Sequence, residues 1–193
     1  MEATGQVDDQ VGEVIATRAV TDGDRPVLIE MGRPAHTTLD GGGTAGFRIE
    51  GLGEFTATGS DGVAALYNAL LDIGAVLARA NGNGHRFTVL DSSEQGFPAA
   101  PRTEMDSAPT TGARGNEVIA LRILITRVGP CAVEIHRPTR APGQRYYLCR
   151  FRIDGKPHAV ASGLDEIQAL LTALRMIGAR LMLPADWPLT RAS

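Results

Sequence analysis

The chain has 193 residues, of which 43% are hydrophobic and 21% are charged, and its formal net charge is −3. This composition excludes a wholly disordered chain, and two cysteines cannot form a disulfide framework. Residues 1–10 are polar and acidic, so we expect no signal peptide, and no apolar run approaches the ~20 residues that cross a bilayer. We therefore expect a soluble cytoplasmic protein.

An internal repeat with a constant offset of 104 residues organises the sequence. The segment 13–18 returns at 117–122, and the motif Phe-Arg-Ile-Glu-Gly at 47–51 returns as Phe-Arg-Ile-Asp-Gly at 151–155. Over residues 13–77, 24 of 65 positions are identical to their counterparts without a gap. We infer a tandem duplication. It divides the chain into a flexible terminus at 1–12, a first repeat at 13–90, a disordered linker at 91–115 and a second repeat at 116–193.

Each repeat is predicted to contain four strands followed by one helix. In the second repeat, apolar runs at 118–126 and 131–136 and the alternation at 147–153 indicate strands, with a fourth short strand at 158–161. Residues 86–90 predict an extra strand in the first repeat alone. Both helices carry apolar residues at steps of three or four. In the first repeat these are Val63, Leu66, Leu70, Ile73 and Leu77, and in the second they are Ile167, Leu170, Leu174, Ile177 and Leu181.

Polar and glycine positions refine the helix prediction. Asp61, or Ser60 before it, and Asp165 suit the N-cap position, where a side-chain oxygen accepts from free backbone N–H groups. Gly74 and Gly178 fall at mid-helix, where glycine costs ~1 kcal/mol relative to alanine. Their recurrence predicts a close approach of the helix to a sheet or to another helix.

These elements define the predicted fold class, which is α+β. Two tandem repeats of an antiparallel four-stranded meander, each followed by one helix, are expected to pack with pseudo-twofold symmetry. A single repeat of about 65 residues has a marginal core, whereas two packed repeats bury much more. Whether the two repeats share one continuous sheet stays open.

The charge of the two repeats differs in sign. Residues 1–90 carry a net charge of −6 and residues 116–193 a net charge of +5. Five arginines of the second repeat cluster around one predicted hairpin: Arg137, Arg140, Arg145, Arg150 and Arg152. They form either a docking face for an acidic or phosphate-bearing partner, or a solvated face that pairs with the acidic first repeat. No nucleic-acid-binding motif accompanies them.

A glycine-rich loop lies before the third strand of the first repeat. The segment 40–46 begins with Asp40, Gly41, Gly42 and Gly43 and contains a formal G-x-G-x-x-G pattern. A dinucleotide site needs a helix after this pattern, whereas the strand-like residues 47–49 follow it here. The loop is therefore either a flexible hairpin connection or a loop that inserts into the cleft of a partner.

No catalytic or metal-binding motif is present, so we expect no catalytic residue, no metal and no cofactor. Cys131 and Cys149 read as core thiols, since a nucleophilic cysteine needs a basic neighbour such as His136. Charged residues that recur in both repeats favour capping or scaffold roles. These pairs are Arg18 and Arg122, Glu30 and Glu134, Arg33 and Arg137, and Asp61 and Asp165.

The motif at 151–155 and the pattern Asp-x-x-x-Ala-Leu-x-x-Ala-Leu-x-x-Ile-Gly-Ala-x-Leu at 165–181 resemble an uncharacterised domain family of bacterial proteins. Residues 47–51 and 61–77 match the same elements. The resemblance implies no established activity and supplies no catalytic residue. The high ratio of arginine to lysine is typical of a high-GC bacterial genome.

The leading functional hypothesis is a non-enzymatic binding protein, of the immunity type that blocks the active site of a cognate bacterial toxin. Its candidate contact residues are the glycine-rich loop and the arginine cluster. The alternative hypothesis is a small-ligand or effector-binding module with its site between the two repeats. We expect a protein partner, and neither nucleic acid nor a membrane.

Overall fold

The computed structural model describes residues 11–36, 42–89, 96–98, 117–126, 129–184 and 187–188. The first repeat contains β1 (Val14–Asp22), β2 (Arg25–Gly32), β3 (Ala35–His36), β4 (Gly43–Ile49), β5 (Gly53–Gly59), α1 (Gly62–Gly82) and β6 (Phe87–Thr88). The second contains β7 (Val118–Thr126), β8 (Gly129–His136), β9 (Thr139–Arg140), β10 (Tyr147–Ile153), β11 (Ala159–Gly163) and α2 (Glu166–Arg180). The predicted α+β fold of two tandem repeats is confirmed.

Each repeat forms its own antiparallel sheet, so the described residues form two sheets rather than one continuous sheet. In the first, β1, β2, β4 and β5 form the meander, and the short strand β3 pairs with β4. The second repeats this arrangement with β7, β8, β10, β11 and the short β9. β1 and β7 even share an irregularity in register at equivalent positions, Val14 to Ala16 and Val118 to Ala120. The extra strand predicted at 86–90 is β6, which pairs with β1.

One hydrophobic core runs through both repeats. α1 packs on β4 and β5 of its own sheet and also on β7, while α2 packs on β10 and β11 and also on β1. Phe47, Phe151 and Ile135 are among the largest fully buried side chains of this core. Because each helix contacts both sheets, neither repeat completes its core without the other.

Both helices begin at the predicted aspartates. Asp61 accepts a hydrogen bond from the Ala64 N–H at 2.9 Å, and Asp165 accepts one from the Gln168 N–H at 2.7 Å. The carboxylates thereby satisfy backbone donors that have no partner within the helix. The N-cap predictions are confirmed.

Helix α1 corrects the expectation that no apolar stretch approaches the length of a membrane span. Its 21 residues are long and apolar enough, by length and composition, to cross a bilayer. Its apolar residues include Val63, Leu66 and Leu70, which are fully buried in the core. The apolar length of α1 therefore serves the core of this fold.

The two mid-helix glycines make room for aromatic side chains. A Cβ atom at Gly74 would lie 3.0 Å from the Phe97 Cβ atom, and one at Gly178 would lie 3.3 Å from Trp187 Cε3. The approach comes from aromatic residues that follow each helix, so the expectation of a sheet or a second helix at these positions is wrong. Phe97 belongs to the predicted linker, most of which lies outside the described residues.

Alanine at these glycines tests the aromatic contacts. Gly82→Ala, at the end of α1 with open space around its Cβ position, is expected to stabilise the protein by up to about 1 kcal/mol. Gly74→Ala and Gly178→Ala are expected to gain less or to destabilise, because Phe97 or Trp187 must move. Urea unfolding measures all three variants. Equal stabilisation by all three would show that the aromatic contacts impose no constraint.

Candidate functional site

Two buried arginines connect the repeats reciprocally. Arg18 of β1 donates from Nε to Asp165 Oδ2 at 2.9 Å and from Nη2 to Asp165 Oδ1 at 3.0 Å. Arg122 of β7 donates from Nε to Asp61 Oδ2 at 2.5 Å. The side chains of these arginines are only 3% and 5% exposed. Each N-cap aspartate therefore binds the arginine of the other repeat. The pseudo-twofold axis relates one ion pair to the other.

An aromatic ring covers each of these arginines. The Arg18 guanidinium carbon lies 4.7 Å from the centroid of the Phe97 ring, and that of Arg122 lies 5.9 Å from the Trp187 ring. Arg122 Nη1 also donates to the Pro188 carbonyl at 2.7 Å. Cation–π contact and hydrogen bonding together compensate the loss of water around the buried charges.

A four-residue ionic network lies on the pseudo-twofold axis. Arg33 Nε donates to Glu13 at 2.7 Å, Arg137 Nη1 donates to Glu13 at 2.8 Å, and both guanidinium groups also bind Glu117. The arginines reach the opposite strands as well, because Arg33 donates to the Val118 carbonyl and Arg137 to the Val14 carbonyl. The hydrogen bond from Arg33 lowers the pKa of Glu13 below its ordinary value.

The outer faces of the sheets carry a further repeated pair. Arg48 Nε donates to Glu30 at 2.7 Å, and Arg152 Nε donates to Glu134 at 3.0 Å. The hydrogen bond to Glu134 raises the pKa of Arg152. Of the predicted contact residues, Arg137 and Arg152 therefore already have carboxylate partners within the chain.

The other three arginines of the cluster differ in this respect. Arg140 and Arg145 are exposed, and Arg150 is partly exposed on the outer face of β10. Arg140 Nε donates to the Gln144 carbonyl at 3.3 Å. Within the described ranges, none of the three forms an ion pair, and none has a charged counterpart in the first repeat.

The structure describes only part of the glycine-rich loop. Asp40 and Gly41 lie outside the described residues, and Gly42 precedes β4. Gly43 is buried at the start of β4, where an added Cβ atom would lie 2.5 Å from the carbonyl carbon of Asp61. A side chain at Gly43 would therefore displace the N-cap of α1, which gives this glycine a packing role.

The two thiols lie in different environments. Cys149 is fully buried, its Sγ atom lies 3.4 Å from the His136 carbonyl, and burial raises the pKa of the thiol strongly. Cys131 is only partly buried. Among the described residues, no group of three or more His, Cys, Asp or Glu side chains could hold a metal ion.

A second exposed surface of the second repeat was not indicated by the sequence pattern. Leu121, Ile123 and Ile125 are 42%, 54% and 66% exposed on one face of β7. A nearly continuous apolar run is typical of a strand buried on both faces. The sequence of β7 therefore gives no sign that one of its faces is exposed. The detectable signal lies in the repeat itself, because the counterparts are smaller or polar: Thr17, Ala19 and Thr21.

The fold thus defines a protein of two ββββα repeats that are joined by reciprocal ion pairs. Residues 120–188 match the family model of a domain of unknown function, DUF6968, which spans most of the second repeat. No curated protein and no solved structure matched the chain. The predicted relation to an uncharacterised domain family is confirmed, and it brings no established activity.

The reciprocal ion pairs can be tested with a double-mutant cycle. Arg122→Met leaves the Asp61 carboxylate without its buried partner and is expected to lower the free energy of unfolding by about 2–4 kcal/mol. Asp61→Asn keeps an N-cap acceptor while removing the charge. In urea unfolding, the double variant is expected to be more stable than Arg122→Met alone. Additive effects of the two substitutions would contradict the predicted coupling.

The thiol environments predict selective alkylation. Cys131 is expected to react with iodoacetamide at neutral pH, whereas Cys149 reacts only after unfolding, because the buried thiol stays protonated and inaccessible. Peptide mass spectrometry with and without denaturant measures both sites. Rapid modification of Cys149 in the folded protein would contradict its placement in the core.

Proposed function

We propose that this chain is a non-enzymatic protein-binding module that engages an acidic partner through Arg140, Arg145 and Arg150. In its most specific form, the proposal is a cytoplasmic immunity protein that covers the active site of a cognate bacterial toxin. Exposed guanidinium groups suit this role, because they steer association and bind carboxylates in a bidentate manner.

A division among the charged residues supports the proposal. The charged positions that recur at the offset of 104 bind partners within the chain: Glu13 and Glu117, Arg18 and Arg122, Glu30 and Glu134, Arg33 and Arg137, Arg48 and Arg152, Glu50 and Asp154, and Asp61 and Asp165. Arg140, Arg145 and Arg150 occur in the second repeat alone, and within the described residues none of them forms an ion pair. Charges that the scaffold does not use are available to a partner.

The glycine-rich loop adds no independent support. Gly43 packs against the start of α1, and Asp40 and Gly41 lie outside the described ranges. The proposal therefore depends on the arginines, and insertion of the loop into a partner stays a prediction.

A ligand site between the repeats remains the alternative hypothesis. Such a ligand would have to compete with the Arg18–Asp165 and Arg122–Asp61 pairs and with the ionic network on the axis. These charged groups already bind one another, so none of them favours a ligand at the interface. A metabolite that raises the melting temperature of the isolated protein would support the alternative.

Charge reversal tests the proposed binding surface. The tagged chain is used to capture partners from lysates of the source cells, and mass spectrometry identifies the captured proteins. The affinity of the chain for a purified partner is then measured at several salt concentrations. Arg140→Glu/Arg145→Glu is expected to weaken binding by about tenfold or more and to reduce its salt dependence.

A matched control separates the surface from total charge. Arg25→Glu/Arg86→Glu makes the same change in net charge on exposed residues of the first repeat, and it is expected to bind as the unmodified chain does. Equal affinity of all three proteins, or equal weakening by both double variants, would contradict the assignment of the arginines as a contact surface.

A further inference from the structure

The edge of β1 that faces away from β2 is covered at two points. The Thr17 N–H donates to Glu166 Oε2 at 2.8 Å, and the Thr17 hydroxyl reaches the same oxygen at 2.9 Å. Further along, Thr21 pairs with Thr88 of β6, and the two hydroxyl groups lie 2.8 Å apart. Strand β1 therefore offers little of its edge to another chain.

Among the described residues, nothing closes the equivalent edge of β7 at either point. Strands β7 and β8 pair in the same register as β1 and β2, so Leu121 and Ile125 take the places of Thr17 and Thr21. The counterpart of Glu166 is Gly62, which has no side chain to offer. β7 is the last strand of its sheet, and in the described part of the chain no strand pairs with its outer edge.

The residues of β7 itself do not protect this edge against pairing. Exposed edge strands are commonly interrupted by charged residues or proline. Between Val118 and Thr126 the only charged side chain is Arg122, which is buried and bound to Asp61. The side chains beside the open edge are the exposed Leu121, Ile123 and Ile125.

We propose that β7 pairs with β7 of a second copy of this chain, in antiparallel orientation, so that the two sheets join in a two-fold homodimer. Antiparallel pairing centred on Ile123 places Ile123 opposite its own counterpart and Leu121 opposite Ile125. These are also the residues whose backbone groups face the open edge, since the equivalent Thr17 and Thr21 bond outward from β1. Hydrogen bonds and apolar side chains therefore match in one register.

Self-complementarity favours a second copy over other occupants. The paired strands bring no like charges together, and a two-fold arrangement uses the same edge of both copies and closes at two subunits. The longest segment outside the described ranges, 99–116, contains only one large apolar side chain, Met105, so it does not supply an apolar strand for this edge. The homodimer uses other residues than the arginine surface and does not depend on the proposed function.

The oligomeric state of the full chain tests the proposal. Sedimentation equilibrium over about 1 to 200 µM is expected to show a dimer for the unmodified chain. Ile123→Lys places two charges against each other at the centre of the interface and is expected to raise the dimer dissociation constant by about tenfold or more. Ala19→Lys, at the equivalent exposed position of β1, is the matched control and is expected to remain dimeric.

A second variant, Leu121→Thr/Ile125→Thr, shows whether a loss of the dimer comes from misfolding. It is expected to fold, because the first repeat carries threonine at both equivalent positions. It is also expected to weaken the dimer, and far-UV circular dichroism is expected to be unchanged for every variant. A monomer at all concentrations, or a dimer that withstands both β7 variants, would overturn the proposal. A monomer that instead binds an apolar strand of another protein would also overturn the choice of a second copy.

Discussion

Each N-cap aspartate binds the arginine of the other repeat, and these reciprocal ion pairs hold the two repeats together. Asp61 and Asp165 each perform two tasks, because one carboxylate caps its own helix and also neutralises a buried guanidinium group. The start of each helix is thereby fixed against a strand of the opposite sheet. Apolar packing of both helices across both sheets then completes a single core.

Duplication explains where functional surfaces can arise in this fold. Residues that hold the scaffold must be kept in both repeats, since a change in one leaves a buried charge or an unsatisfied backbone group in the other. Positions outside this framework are free to diverge. The exposed arginines and the apolar edge of β7 both occur where the second repeat departs from the first, and this is the common basis of the two proposals.

The repeat made most of the fold predictable. The offset of 104, the strand patterns and the capping residues located the main strands, both helices and the pseudo-twofold relation. The pairing of Arg18 with Asp165 could not be derived, because these residues are far apart in sequence and their contact depends on how the repeats pack. Phe97 was hidden in a linker-like segment where a single aromatic anchor leaves no periodic signal. The apolar run of β7 resembled a fully buried strand, and only its place at the sheet edge exposes it.

Urea unfolding of Ile49→Val tests whether the two repeats unfold as one unit. Ile49 lies in the core of the first repeat, and the single tryptophan, Trp187, lies beside α2 of the second. Because the two repeats share one core, Trp187 fluorescence and far-UV circular dichroism are expected to give coincident transitions. The free energy of unfolding from both signals is expected to fall by about 0.5–1.5 kcal/mol relative to the unmodified chain. An unchanged fluorescence midpoint, with a separate earlier transition in circular dichroism, would show that the repeats are independent.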